Sequence, residues 1–124
     1  MYTFFNASEA LTGLTVENVS VKCANVAFAG ASGFGDASFK NVTVESDNNG
    51  VKVNNPNSSA LTFENCSITA KTPVTFIENA GVTSALTAEF NGTNNMVVSE
   101  GGTYWFNIVA PECGLYSNAK SIFV

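Results

Sequence analysis

Three times in this chain an asparagine sits in the same apolar frame. Leu14-Thr15-Val16-Glu17-Asn18-Val19-Ser20-Val21, Ala37-Ser38-Phe39-Lys40-Asn41-Val42-Thr43-Val44 and Leu61-Thr62-Phe63-Glu64-Asn65-Cys66-Ser67-Ile68 place Asn18, Asn41 and Asn65 at nearly equal intervals, the second longer than the first by a single position. A strand-forming repeat of roughly two dozen residues cannot bury its apolar face alone, so the copies must stack on one another. Within each copy apolar and polar residues alternate, the period of a strand with one dry side. No stretch of a dozen residues keeps a helical apolar face, so the class is all-β with almost no helix.

Taken in order, each repeat reads as three short strands. The first has Leu14–Val16, Val19–Val21 and Val26–Phe28; the second has Ala37–Phe39, Val42–Val44 and Val51–Val53; the third has Leu61–Phe63, Cys66–Ile68 and Val74–Ile77. Leu86-Thr87-Ala88 starts a fourth copy, after which the pattern weakens through Glu89–Thr93 and Met96 follows late. Tyr2-Thr3-Phe4-Phe5-Asn6 matches Val74-Thr75-Phe76-Ile77-Glu78 at a separation of three of the longer repeats, so residues 1–10 are expected to begin inside a coil. Residues 103–124 are expected to close the far end. The whole of 1–124 is read as a single solenoid domain of about four coils, each of roughly two dozen residues.

This pattern, with Asn18, Asn41 and Asn65 at one corner, resembles the right-handed parallel β-helix of the pectate-lyase-like superfamily. The likeness covers residues 2–88 and is one of architecture. It implies an asparagine ladder, in which each corner side chain bonds its own backbone and the next rung. Equal sequence offsets put Val16, Phe39 and Phe63 in one interior column, and the ladder leads to a buried Asn41 bonded through both ends of its amide. The structural alternative is a β-sandwich, which short strands with frequent turns also suit.

Chemistry is thinly supplied. Ten acidic residues face five lysines, with no arginine or histidine. That balance opposes nucleic-acid binding, which needs clustered cations against phosphate. Many enzymes of this fold cleave acidic polysaccharides, but a hydrolase needs two carboxyl groups facing one bond. The two aspartates, Asp36 and Asp47, fall in different turns. Glu17, Lys40 and Glu64 form an outward charge row. A lyase would have to use lysine as base without a guanidinium clamp. No catalytic residue, metal ligand or cofactor is assigned, and the alternative of a fragment of a β-helical lyase or glycoside hydrolase stays open.

Cys23, Cys66 and Cys113 lack metal-ligand spacing, and Cys66 takes the place of Val42 and Val19, an interior filler. Thr15, Ser38, Thr62 and Thr87 are expected in one outward hydroxyl column, a candidate face for carbohydrate. Six Asn-X-Ser/Thr sequons occur, three of them at the corner asparagines, which are read as ladder residues rather than glycan sites. Tyr104, Trp105, Phe106, Ile122 and Phe123 offer apolar, strand-forming material for an end cap or for homo-oligomeric, end-to-end assembly. Neither a signal-peptide pattern nor a membrane-spanning run is read in the sequence. The expectation is a non-enzymatic structural or adhesive segment of an extracellular, cell-surface or virion-surface protein.

Overall fold

Alternating side chains give every segment one dry side, and the chain buries those sides by winding them into a common interior. The computed structural model describes residues 1–54, 60–77, 87–110, 114–117 and 121–123, with the backbone alone at 87, 108–110, 114–117 and 121–123. It is an all-β solenoid of parallel, stacked strands, without helix among the described residues.

The strands are β1 (Thr3–Ala7), β2 (Gly13–Cys23), β3 (Val26–Gly30), β4 (Asp36–Ser46), β5 (Asn49–Asn54), β6 (Ala60–Glu64), β7 (Ser67–Ala70), β8 (Thr72–Ile77), β9 (Thr87–Asn91), β10 (Asn95–Val98), β11 (Phe106–Ala110), β12 (Gly114–Ser117) and β13 (Ser121–Phe123). One sheet runs β1-β3-β5-β8-β11-β12. The other runs β13-β10-β7-β4-β6-β9, with β2 on β4. The sandwich alternative is thereby excluded, because successive repeats pair in parallel, edge to edge.

The corner asparagines explain why the second sheet has two faces. Asn18, Asn41 and Asn65 have φ of 56°, 52° and 53°. That left-handed conformation is costly for most side chains and tolerated by asparagine. It bends β2 and β4 without breaking them, and in the third turn it separates β6 from β7. Each turn therefore has a first face before the asparagine, a second face after it and a third face in the other sheet.

Register places Val16, Phe39, Phe63 and Phe90 in one column. Phe39 and Phe63 stack at 5.2 Å between ring centroids, and Phe63 and Phe90 at 5.1 Å. Those distances follow from the strand spacing of about 4.8 Å. Phe28 meets Phe39 edge-on from the third face at 5.3 Å. Val42, Val44, Leu61, Cys66, Ile68, Val51, Val53 and Val74 complete a continuous apolar interior. Each large side chain so buried contributes about 1.5–3 kcal/mol.

Three expectations need correction. Phe5, and not Tyr2, lies in the column of Val74, through Phe28 and Val51. The third face repeats at the shorter interval, that of Asn18 to Asn41, at every one of these steps. The match to Tyr2 assumed the longer interval throughout, and that one belongs to the corner between Asn41 and Asn65. In the fourth turn Thr87 pairs with Ala60, and Glu89 pairs with Thr62. Thr87 therefore leaves the hydroxyl column. Finally, Asn41 is exposed rather than buried.

The C-terminal strands depart from the solenoid. β12 lies antiparallel on β11, and β13 antiparallel on β10. They cover the last rung on the third and second faces. At the opposite end the outer edges of β1 and β2 have no strand against them among the described residues.

Candidate functional site

Two asparagine ladders mark the corners of the stack. At the first, the Asn41 Nδ2 donates to Asn18 Oδ1 at 3.0 Å. The rung does not continue to Asn65, whose Oδ1 instead accepts the Thr93 N–H at 2.8 Å. Sequence reasoning missed the second ladder, between the second and third faces, where Asn48 Nδ2 donates to Asn25 Oδ1 at 2.6 Å. Asn25 and Asn48 have the same spacing as Asn18 and Asn41, a signal visible in the sequence. They sit among turn residues, where asparagine draws no notice.

Asn94 was also missed. It is fully buried, its Oδ1 accepts the Cys66 N–H at 2.9 Å, and its Nδ2 donates to the carbonyls of Asn91 and Phe63. The fourth corner has one residue more between Phe90 and Met96 than the third has between Phe63 and Ile68. Gly92, at φ 70°, takes up the turn there. Asn94 then satisfies the backbone that the longer corner leaves open.

Cys23 and Cys66 are both buried free thiols, while Cys113 lies outside the described residues. The Cys66 Sγ–H points to the Phe39 carbonyl at 3.2 Å. Burial pushes the Cys66 thiol above its usual pKa of 9.0; backbone hydrogen bonds with Val42 and Glu64 oppose this, and the nearby Glu64 charge adds to it. A thiol so held is a core residue rather than a nucleophile.

On the first face Thr15, Ser38 and Thr62 do share a column, with Glu89 beyond them. Glu17, Lys40 and Glu64 align beside it, and Lys40 meets Glu64 at 3.8 Å. On the second face Lys22 meets Glu45 at 3.4 Å. Pairs this exposed contribute little to stability. Asp36 opens β4, whereas Asp47 lies in the turn beyond its far end. Among the described residues no three His, Cys, Asp or Glu side chains come together as a metal site would require.

The third face carries two hollows. One of about 440 Å³ is lined by residues that include Tyr2, Asn6, Asn25, Lys52 and Asn54. Another of about 460 Å³ includes Asn25, Asn48, Lys52, Lys71 and Tyr104. Sharing Asn25, Val26 and Lys52, they form one groove across the rungs. Lys52 and Lys71 have no ion-pair partner among the described residues, and none of the described lining residues is acidic. Asn54 adds a buried Oδ1 without a hydrogen-bond partner among the described residues. Gly102 shapes the wall, since a Cβ there would collide with the carbonyl of Lys71.

Of the apolar residues expected at an interface, Trp105 is only 7% exposed and packs on Phe90 at 5.4 Å. Tyr104 and Phe106 are half-buried. Ile122 and Phe123 pair with Met96 and Asn95 in the antiparallel closure.

Comparison with protein-family models, with curated proteins and with solved structures finds no match. The fold is therefore established by the strand register alone.

Proposed function

We propose that this chain is a non-enzymatic structural or adhesive segment of an extracellular, cell-surface or virion-surface protein, a stiff spacer that presents its outer faces. The observation carrying the reading is the unbroken interior stack from Val16 through Phe39 and Phe63 to Phe90, which makes each turn a floor for the next. Close packing of this kind gives length and stiffness. The likeness to right-handed β-helices of the pectate-lyase-like superfamily supports the reading as architecture only, and no catalytic residue is carried over from those enzymes.

Carbohydrate contact belongs to the same reading, and the third-face groove favours it over the hydroxyl column. Lysines without an ion-pair partner among the described residues, asparagine amides and the rings of Tyr2 and Tyr104 suit a sugar chain that carries acidic groups. Incubating the chain with polyuronates and measuring both retention and product release tests the proposal. Retention without release is expected, and Lys52→Ala with Lys71→Ala should lower it at least tenfold. Release of unsaturated or reducing ends would overturn the non-enzymatic reading in favour of a polysaccharide lyase or hydrolase fragment.

A further inference from the structure

The two ends of the stack differ. At the C-terminal end the antiparallel β12 and β13 cover β11 and β10. At the N-terminal end the lowest rung covers one face among the described residues. Residues 1–7 lie beneath the third face, with the Ala24 N–H on the Met1 carbonyl, the Asn25 N–H on the Tyr2 carbonyl, and Thr3 opposite Val26. No strand lies beneath β2 among the described residues.

Three further observations converge on that edge. Leu14 and Val19 are half-buried, whereas Ala37 and Val42, the residues above them, are buried. Both ladders point the same way, each upper asparagine donating its Nδ2 to the Oδ1 below. The amides of Asn18 and Asn25 are thus left as donors without an acceptor among the described residues. Met1, Tyr2 and Phe4, the large apolar side chains exposed among the described residues, all lie at this end. An edge with free backbone groups and uncovered apolar surface is a template for another strand.

Charge specifies the occupant more closely. Along the first face Glu17, Lys40 and Glu64 alternate in sign, and on the second Lys22 lies under Glu45. A rung below β2 that continues this alternation carries a cation under Glu17 and an anion under Lys22. We propose that the N-terminal edge docks one further parallel rung supplied by another chain: a bent strand as long as β2, apolar at alternate positions, with Lys fifth, Asn sixth and a carboxylate tenth. The sequence of β4, Asp36–Ser46, has this pattern, with Lys40, Asn41 and Glu45 at those positions. The sequence of β2 itself places Glu under Glu17 and Lys under Lys22.

Because Met1 and Tyr2 lie under Ala24 and Asn25, a copy of residues 36–46 joined directly before Met1 falls in register beneath β2. The expected result is a rise in Tm of at least about 5 °C, with slowed amide exchange across Gly13–Cys23. A copy of residues 13–23 should give a smaller rise. One extra residue between copy and Met1 turns every side chain to the wrong side and should abolish the gain. The free peptide of sequence 36–46, added to the unaltered chain, should slow the same amides, and its failure to do so would overturn docking by another chain. Equal effects from the in-register and slipped copies, or no added protection on β2, would overturn the proposal. So would a dimer of the unaltered chain that disappears when the copy is attached, since a second copy of the protein would then be the occupant.

Discussion

Asparagine at the first corner meets a backbone demand before a hydrogen-bonding one. Asn41 is exposed, yet it holds a φ of 52° and one ladder bond to Asn18. Asn41→Ala should therefore cost about 1–2 kcal/mol through the left-handed conformation, while Asn41→Gly should cost less than Ala because glycine accepts that φ; urea denaturation of the pair checks the order. Asn94 is the opposite case, a buried amide whose removal strands the Cys66 N–H and two carbonyls. Asn94→Ala should cost about 2–3 kcal/mol, more than either change at Asn41. Cys66 adds a pH dependence. Its folded pKa is raised, so the unfolded chain loses its proton first. Stability is then complete below pH 9.0, the ordinary value, and declines as pH climbs from there through the folded pKa. The contribution is the difference between Cys66→Ser and the parent chain in urea titrations spanning neutral to strongly alkaline pH, and an identical slope in both would rule it out.

At the level of strands, side-chain direction was legible wherever the corner was constant. Val16, Phe39 and Phe63 share a column because Asn18, Asn41 and Asn65 reset the chain in the same way at each turn. The fourth turn was not legible because its return from β8 and its corner at Asn91–Asn95 are both longer, and Thr87 consequently pairs two positions away from the expected one. Local propensity carries no information about such a slip, since threonine suits any strand position. The groove was equally hidden. Lys52, Lys71 and Tyr104 belong to different turns and meet only through the register of the third face. Within the interior, Phe63 has a phenylalanine above and below at stacking distance. Phe63→Ala should cost about 3–5 kcal/mol, and Phe63→Leu much less, as read from the shift of the urea midpoint at constant slope.

For the whole molecule, stacking means that each turn is held mainly by its neighbours, so stability should grow with the number of rungs rather than reside in one centre. The C-terminal closure is part of that sum. Shortening the chain to residues 1–110 removes β12 and β13, uncovers the last rung on two faces, and is expected to lower Tm and to promote association that light scattering would detect. An unchanged Tm and a monomeric scattering mass would show that the antiparallel strands cap nothing. The direction of the hydrogen bonds has a mechanical consequence. They run along the axis of the stack, from rung to rung, so tension applied between the two ends loads one rung boundary after another instead of shearing many bonds at once. One released turn frees roughly 75–80 Å of contour. Under load the rod would lengthen in discrete increments of that order, yielding slack while the remaining turns keep their shape.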